Sequence, residues 1–417
     1  MKLLIKNIKK LINVRDESPL RPLNGGELGI LPTMDDAYLL VKDGIISSYG
    51  VSSSANVPEL EAQCDKVVDA EGKMVFPSYC DSHTHLVYAG SREIEFMDKI
   101  RGLSYQEIAR RGGGILNSVE LLHNTSEADL LEQAKVRAQE IIAFGTGAVE
   151  IKSGYGLSLE DEIKMLRVAK RVEEETPLTV KRTFLGAHAV PARYAGRREE
   201  YVDEIISEMI PAVAAEGLAE YVDIFCEEGF FTIEDSCRIF EAGAKYGMRP
   251  KVHANQMSFS GGVQVGVRYN ARSVDHLEFT GVDEFEALRH SDTIATLLPG
   301  ATFFLEMDFA PARAMINYGL PIAIASNYNP GSCPCGDMKF MMALGCLKMK
   351  MFPEEVINAA TINGAFAMDV DKILGSITVG KVANLFITKE VPSYEFLPYS
   401  FSTPLVDTVI LNGKIVG

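Results

Sequence analysis

The sequence predicts an α/β protein, a closed (β/α)8 TIM-type barrel joined to a small β-sandwich domain built from both chain ends. Three observations predict it. Eight short apolar runs recur between about residues 75 and 368. Longer charge-rich stretches of helical period separate them, the alternation that implies a parallel sheet. The two terminal stretches alternate apolar and polar residues between turn signals, as half-buried strands do.

At the N-terminal end LLIKNIKKLI, DAYLLVKDGIISSYG and KVVDAEGKMVF read as strands, and at the C-terminal end GSITVGKVANLFITK and DTVILNGKIVG do. They are expected to pair into one composite β domain over residues 1–74 and 369–417, leaving 75–368 as the barrel. The eight barrel strands are expected in KMVFPSYCD, GAVEIKS, LTVKRTFLG, EYVDIFC, RPKVHA, RSVDHL, TIATLL and PIAIAS. Between them SEADLLEQAKVRAQEIIAFG and SLEDEIKMLRVAKRVEEE are charge-rich and have helical period.

Composition narrows the function classes. The 417 residues are 47% hydrophobic and 24% charged, an ordinary globular balance. Lys and Arg number 41 against 57 Asp and Glu, a formal charge of −16 that repels phosphate backbones and anionic lipid heads. The expected partner is a small molecule, with no nucleic acid and no membrane. The seven cysteines (Cys64, Cys80, Cys226, Cys237, Cys333, Cys335 and Cys346) are odd in number and scattered, and the start MKLLIKNIKKLINV interrupts each apolar run with Lys or Asn. A reducing cytoplasm is expected. No run approaches the 18 or more apolar residues of a membrane-spanning helix.

Active sites of such barrels gather at the C-terminal ends of the strands. His83 and His85 follow the first expected strand, Tyr155 the second, His188 the third and Glu227 the fourth. His253 and Gln256 follow the fifth, His276 the sixth, and Asn327 and Asn329 the eighth, so five of the seven histidines fall at strand ends. In Asp81-Ser82-His83-Thr84-His85 the two imidazoles lie two residues apart and project to one side of an extended strand. One metal ion can take both, and neutral imidazole suits Zn²⁺ or Fe²⁺. Such an ion lowers the pKa of a bound water to about 7. A lone His-x-His is weak, since exposed His pairs are common; His253 and His276 at other strand ends strengthen it.

PSYCDSHTHLVYAGSREIEF, RGGGI, EIKSGYGL, TFLGAHAVP, VHANQ, SVDHLE and NPGS, in this order and spacing, resemble the imidazolonepropionase family of the amidohydrolase superfamily. The resemblance covers nearly the whole chain, including AATINGAFAM and GSITVGKVANLFI, which resemble the superfamily's return into the small sheet. It implies hydrolysis of the cyclic amide of 4-imidazolone-5-propanoate to N-formimino-L-glutamate in histidine degradation, one Zn²⁺ or Fe ion, and a homodimer. By position it implies metal ligands His83, His85, His253 and residue 327. It also implies that Arg92, Tyr155, His188, Gln256, Asn329, Gly331 and Ser332 hold substrate or product.

The chemistry of these residues agrees. A propanoate carboxylate calls for a planar bidentate donor, and Arg92 lies seven residues past His85. Gln256 offers a neutral group that both donates and accepts. His276 would steady charge developing on the scissile carbonyl oxygen. Gly112, Gly113 and Gly114 would let backbone amides approach the ligand.

Blander readings stand beside these. His188 or His276 taken singly is as readily a buried histidine bonded to a carbonyl. Arg92 either faces the site or pairs with Glu93 or Glu95. Lys152 reads as structural, so the metal site reads as mononuclear, and Cys333 and Cys335 read as loop residues. His123 and His290 fall in helical stretches and read as solvated.

One departure bears on activity. Where the family pattern has a metal-binding Asp, this chain has Asn327, whose carboxamide has no charge and cannot accept a proton from water. Catalytic roles fall to His276, Gln256 and Asn327, with activity reduced if the amide is a poor substitute. Two alternatives remain: another mononuclear amidohydrolase such as a deaminase, whose usual acid after the fifth strand is here Gln256, or an impaired homologue that binds an imidazole-like ligand.

Overall fold

A computed structural model of the chain describes residues 1–103 and 114–416. Its centre is a ring of parallel strands at the eight expected places: β1 (Tyr79–Thr84), β2 (Thr146–Lys152), β3 (Thr179–Ala187), β4 (Tyr221–Cys226), β5 (Val252–Ala254), β6 (Ser273–His276), β7 (Ile294–Leu297) and β8 (Ile322–Ile324). Each pairs with the next, and the short pair Arg249–Pro250 leads into β5 alongside β4. The ring closes just past β8, where Asn327 N–H donates to the His83 carbonyl and His85 N–H to the Tyr328 carbonyl, each at 2.9 Å. Asp81 reinforces the seam by accepting from Ser326 N–H at 2.9 Å and its hydroxyl at 2.5 Å.

Helices cover the ring because their sequences supply both a cap and an apolar stripe. Ser126 caps Glu127–Ala143 by accepting from Asp129 N–H, and the helix buries Leu130, Leu131, Ala134, Ala138, Ile141 and Ile142. Ser158 caps Leu159–Glu175 in the same way.

The terminal sheet is a single hydrogen-bonded unit of eight strands. Lys2–Ile12 pairs antiparallel with Thr33–Lys42 and parallel with Lys66–Asp69 and Met74–Pro77, while Leu385–Thr388 pairs with Met74–Pro77. Hydrogen bonds from Ile46 N–H to Lys381 O and from Ala383 N–H to Gly44 O, both 2.8 Å, curl the sheet over its own core of Leu3, Ile5, Leu39, Val41, Leu385 and Ile410. The two layers of the expected sandwich are thus one continuous sheet.

The expected terminal strand KVVDAEGKMVF and the expected barrel strand KMVFPSYCD share KMVF, and the structure divides them there. Met74–Pro77 belongs to the terminal sheet and Tyr79–Thr84 to the barrel, with Ser78 between them. Both pieces are wholly buried, so the apolar pattern has no break to mark the change of sheet.

Candidate active site

Strand parity puts His83 and His85 on the inside of the ring, where β5 delivers His253. One ligand atom from each of the three lies within 4.8 Å of the others. His85 Nε2 and His253 Nε2 are 3.4 Å apart, and the His83 and His253 rings stand 4.5 Å apart. His188, at the end of β3, stacks on His85 with ring centroids 5.0 Å apart and planes 7° apart. His276 lies 5.4 Å from the His253 ring. Its φ of 90°, followed by 71° at Leu277, is a conformation that non-glycine residues rarely adopt, and it occurs where the chain turns out of β6 into the site. Five histidines therefore form one cluster, as their strand-end positions led us to expect.

Burial holds the His83 and His85 imidazoles neutral, far below their ordinary pKa, with Lys152 adding to the effect at His83 and His188 at His85. Neutral imidazole is the metal-binding form. Burial also lowers His188 to about 3. The orientation of the rings comes from a layer beneath them. Asp275 Oδ2 lies 2.6 Å from His83 Nδ1, and Asp223 Oδ2 lies 3.1 Å from His253 Nδ1. A carboxylate on Nδ1 leaves Nε2 directed at the site.

Those carboxylates belong to a buried network. Lys152 Nζ lies 2.6 Å from Glu150, 2.8 Å from Asp223 and 3.5 Å from Asp275, while Lys251 pairs with Glu150. Thr183 donates to Glu150 at 2.6 Å. Burial opposes both the Asp223 charge and the Lys152 charge, but their mutual attraction prevails, holding the carboxyl low and the ammonium high. Lys152 is a strut in this layer, consistent with a structural reading. Asp223, Asp275, Glu150 and Lys251 were not singled out from sequence, although an acid within each of β2, β4 and β6 and a lysine just before β5 were the available signal.

Asn327 follows β8 with a φ of 55°, a left-handed conformation that Asn tolerates. Its buried Oδ1 has no hydrogen-bond partner, and neither has His83 Nε2. Both orphaned atoms suit a cation between them. Asn329, by contrast, is spent within its own turn. Its Nδ2 donates to Asn327 O at 2.6 Å and Ser332 Oγ at 2.8 Å, and its Oδ1 accepts from Gly331 and Ser332 N–H, each at 2.8 Å. All four hydrogen-bonding places of the amide are filled.

The histidines open into a cavity of about 560 Å³ whose walls include Arg92, Tyr155, Gln256, Asn327, Asn329 and Ser332. Arg92 does pair with Glu95, as one sequence reading allowed, but inside this cavity wall and not at the surface. Glu162 accepts from the N–H groups of Gly154, Gly156 and Leu157 and so shapes the loop that presents Tyr155. Glu227 accepts from Met257 N–H at 3.0 Å and from the Ser258 hydroxyl, bracing the loop that carries Gln256. Gly114 caps the helix Ile115–His123 with a φ of 84°, whereas Gly112 and Gly113 lie outside the described residues. His123 pairs with Asp161 at 2.9 Å but stays largely exposed, and His290 is exposed beside Glu286. Cys333 is buried against Gly300 as a packing residue.

A parallel barrel with a three-histidine cluster at its strand ends, two of the three, His83 and His253, each facing a carboxylate, defines an amidohydrolase. The amidohydrolase family description matches residues 266–416. The chain belongs to the imidazolonepropionase family within that class: it is 51% identical over 413 residues to "Imidazolonepropionase" of Flavobacterium johnsoniae, covering 99% of each chain. It is likewise 51% identical over 416 residues to that of Christiangramia forsetii, covering 100% of each, and 40% identical to that of Alkaliphilus oremlandii over 99% of this chain and 97% of the relative. Among solved structures it resembles E. coli guanine deaminase (TM-score 0.75, 12% identity, 100% of this chain and 99% of that one). It also resembles triazine hydrolase from Arthobacter aurescens (TM-score 0.72, 14% identity, 99% and 94%). At such identities these two show the fold alone.

Proposed function

We propose that this chain hydrolyses the cyclic amide of 4-imidazolone-5-propanoate, giving N-formimino-L-glutamate in histidine degradation. The observation that carries the reading is the cluster of His83, His85 and His253, of which His85 and His253 line one cavity with Arg92, Tyr155 and Gln256. Membership of the family over the full chain supports it.

His83, His85 and His253 through ring nitrogens, and Asn327 through Oδ1, would hold one Zn²⁺ or iron ion. When bound, such an ion polarises the amide carbonyl and activates water as a nucleophile near neutral pH. The chain's own residues do the rest. Arg92 receives the propanoate carboxylate, Tyr155 adds a donor, and neutral His188, whose Nδ1–H is given to the Gly154 carbonyl at 3.1 Å, offers Nε2 as an acceptor. Gln256 meets the ring nitrogens, and His276 steadies the carbonyl oxygen as charge develops. Ser332 and Gly331 line the carboxylate end, and Asn329 acts through the turn it builds. Water adds across the C–N bond: its oxygen joins the carbonyl carbon, the bond breaks, and a proton ends on the departing nitrogen. Asn327 has no basic oxygen for that proton, which is the observation favouring a second reading, a slow or ligand-binding member of the family.

Incubating the metal-loaded protein with imidazolonepropanoate and following substrate loss and product formation by NMR tests both readings. We expect turnover; binding without turnover supports the second reading, and neither overturns both. Elemental analysis is expected to find about one ion per chain when metal is supplied and partial occupancy on isolation. A parental metal content in His83→Ala would overturn the site. We further propose a homodimer, on the family resemblance, and a cytoplasmic location, which seven free thiols suit. Among the described residues no helix is long and apolar enough to cross a membrane.

A further inference from the structure

The Arg92 guanidinium does not stand free in the cavity. Its Nε and Nη2 both donate to Glu95 Oε2, at 2.8 and 2.5 Å, and Glu95 Oε1 accepts from Asn117 Nδ2 at 3.0 Å. The two side chains are only 14% and 12% exposed. On another side the guanidinium lies against Gly331, where a Cβ would come within 2.0 Å of Nη1 and 2.8 Å of Cζ. Three segments thus converge on the Arg92–Glu95 pair: the helix Glu93–Ile100 that Arg92 precedes, the helix Ile115–His123 through Asn117 on Glu95, and the turn after β8 through Gly331 on Arg92.

An exposed ion pair three residues apart is worth little and fluctuates. This one is enclosed and held from both ends. A guanidinium has five N–H donors in a rigid plane. Two are taken by Glu95, and the three that remain sit on Nη1 and the outer side of Nη2, the end-on edge of the fork.

We infer that Glu95 is a positioning residue for the carboxylate end of the substrate: it fixes Arg92 so that the end-on Nη1 and Nη2 edge receives that carboxylate in one orientation. The inference rests on the reading of Arg92 as the carboxylate anchor. Glu95 carries the same charge as the incoming group, so its help is geometric and not electrostatic. Two consequences follow. Removing the side chain releases a long, rotamer-rich arginine that each binding event must then order. Replacing Glu95 by Gln leaves an oxygen for Nε and Nη2 while removing the like charge.

The test compares Glu95→Ala, Glu95→Gln, Arg92→Met and the double variant Glu95→Ala/Arg92→Met. It reads kcat and KM for imidazolonepropanoate, metal content, and the Kd of imidazole-4-propanoate by calorimetry, a probe that carries the carboxylate and needs no turnover. For Glu95→Ala we expect KM and Kd to rise about tenfold, the scale of immobilising one such side chain, with kcat within about twofold and unchanged metal content. Glu95→Gln is expected to bind as tightly as the parent or more tightly. In the Arg92→Met background Glu95→Ala is expected to add nothing further.

Parental KM and Kd in Glu95→Ala would overturn the inference. So would an equal loss in the Arg92→Met background, which would mark a general structural role, or a Gln variant as weak as the Ala variant, which would mark a role of charge. If Arg92→Met itself binds like the parent, the anchor reading falls and this inference falls with it. If the parent binds the probe but turns nothing over, the reaction is wrong while the Kd series still decides Glu95.

Discussion

At position 327 a carboxamide stands where the resemblance to the family implies an acid, with its buried Oδ1 lacking a partner. The left-handed backbone, the hydrogen bond to the His83 carbonyl and the unpartnered Oδ1 are all compatible with either side chain, since Asn and Asp share shape and tolerate this conformation. What differs is the ability to take a proton from water. Restoring the acid with Asn327→Asp is therefore expected to raise kcat. General-base participation is worth about 10² to 10⁴ in rate, so the gain should stand clear of scatter, and a part-share by His276 would reduce it. Comparing kcat of the two proteins at matched metal occupancy across pH checks this; equal rates would remove position 327 from the proton path. Arg92 gives the second prediction at this scale. Lys cannot reproduce a planar fork, so Arg92→Lys is expected to weaken substrate binding by about 2 to 3 kcal/mol while metal content stays the same. Kinetics matching the parent would withdraw the assignment.

The strands act as elements by alternating what they show. Along β4 and β6 one side chain in each reaches inward beneath a histidine, Asp223 beneath His253 of the neighbouring β5 and Asp275 beneath His83 of β1 across the barrel, and the parallel register sets His253 beside Asp275. Each aspartate then fixes which nitrogen of its histidine is free. Asp275→Asn or Asp223→Asn is expected to reduce metal affinity about 10- to 100-fold, measured by competition with a chelator on protein whose circular dichroism matches the parent. Unchanged affinity would show that the rings are oriented by packing. This layer was only half legible in the sequence. His-x-His and the strand-end histidines could be seen because period two and the βα alternation place them. Which acid meets which histidine could not, because those partners lie up to 192 residues apart and meet through strand order.

At the scale of the whole molecule the last helix of the barrel is seated on the first barrel strand where a side chain is missing. Gly364, on the helix Ile362–Ala367, lies so close to β1 that a Cβ would come within 2.3 Å of the Cys80 carbonyl oxygen. That atom is backbone in the first barrel strand and has no rotamer to escape through. Gly364→Ala is expected to destabilise the fold by about 1 to 3 kcal/mol, the usual scale of overpacking, read from denaturant midpoints. A midpoint equal to the parent's would mean the helix shifts freely.

By itself the sequence determined the eight barrel strands, the pairing of both chain ends in one sheet and the identity of the clustered histidines. These depend on local periodicity, turn chemistry and position along each βα unit, all of which are written within a few residues. Tertiary structure decided the rest. Met74–Pro77, which the sequence placed in both the terminal sheet and the barrel, joined the terminal sheet alone, a choice the sequence leaves open because two wholly buried strands in succession have the same apolar pattern whichever sheet they join. Asn329 was drawn into its own turn, Arg92 onto Glu95, and His83 onto Asp275, because a buried polar group must find partners and the fold determines which of them lie within reach.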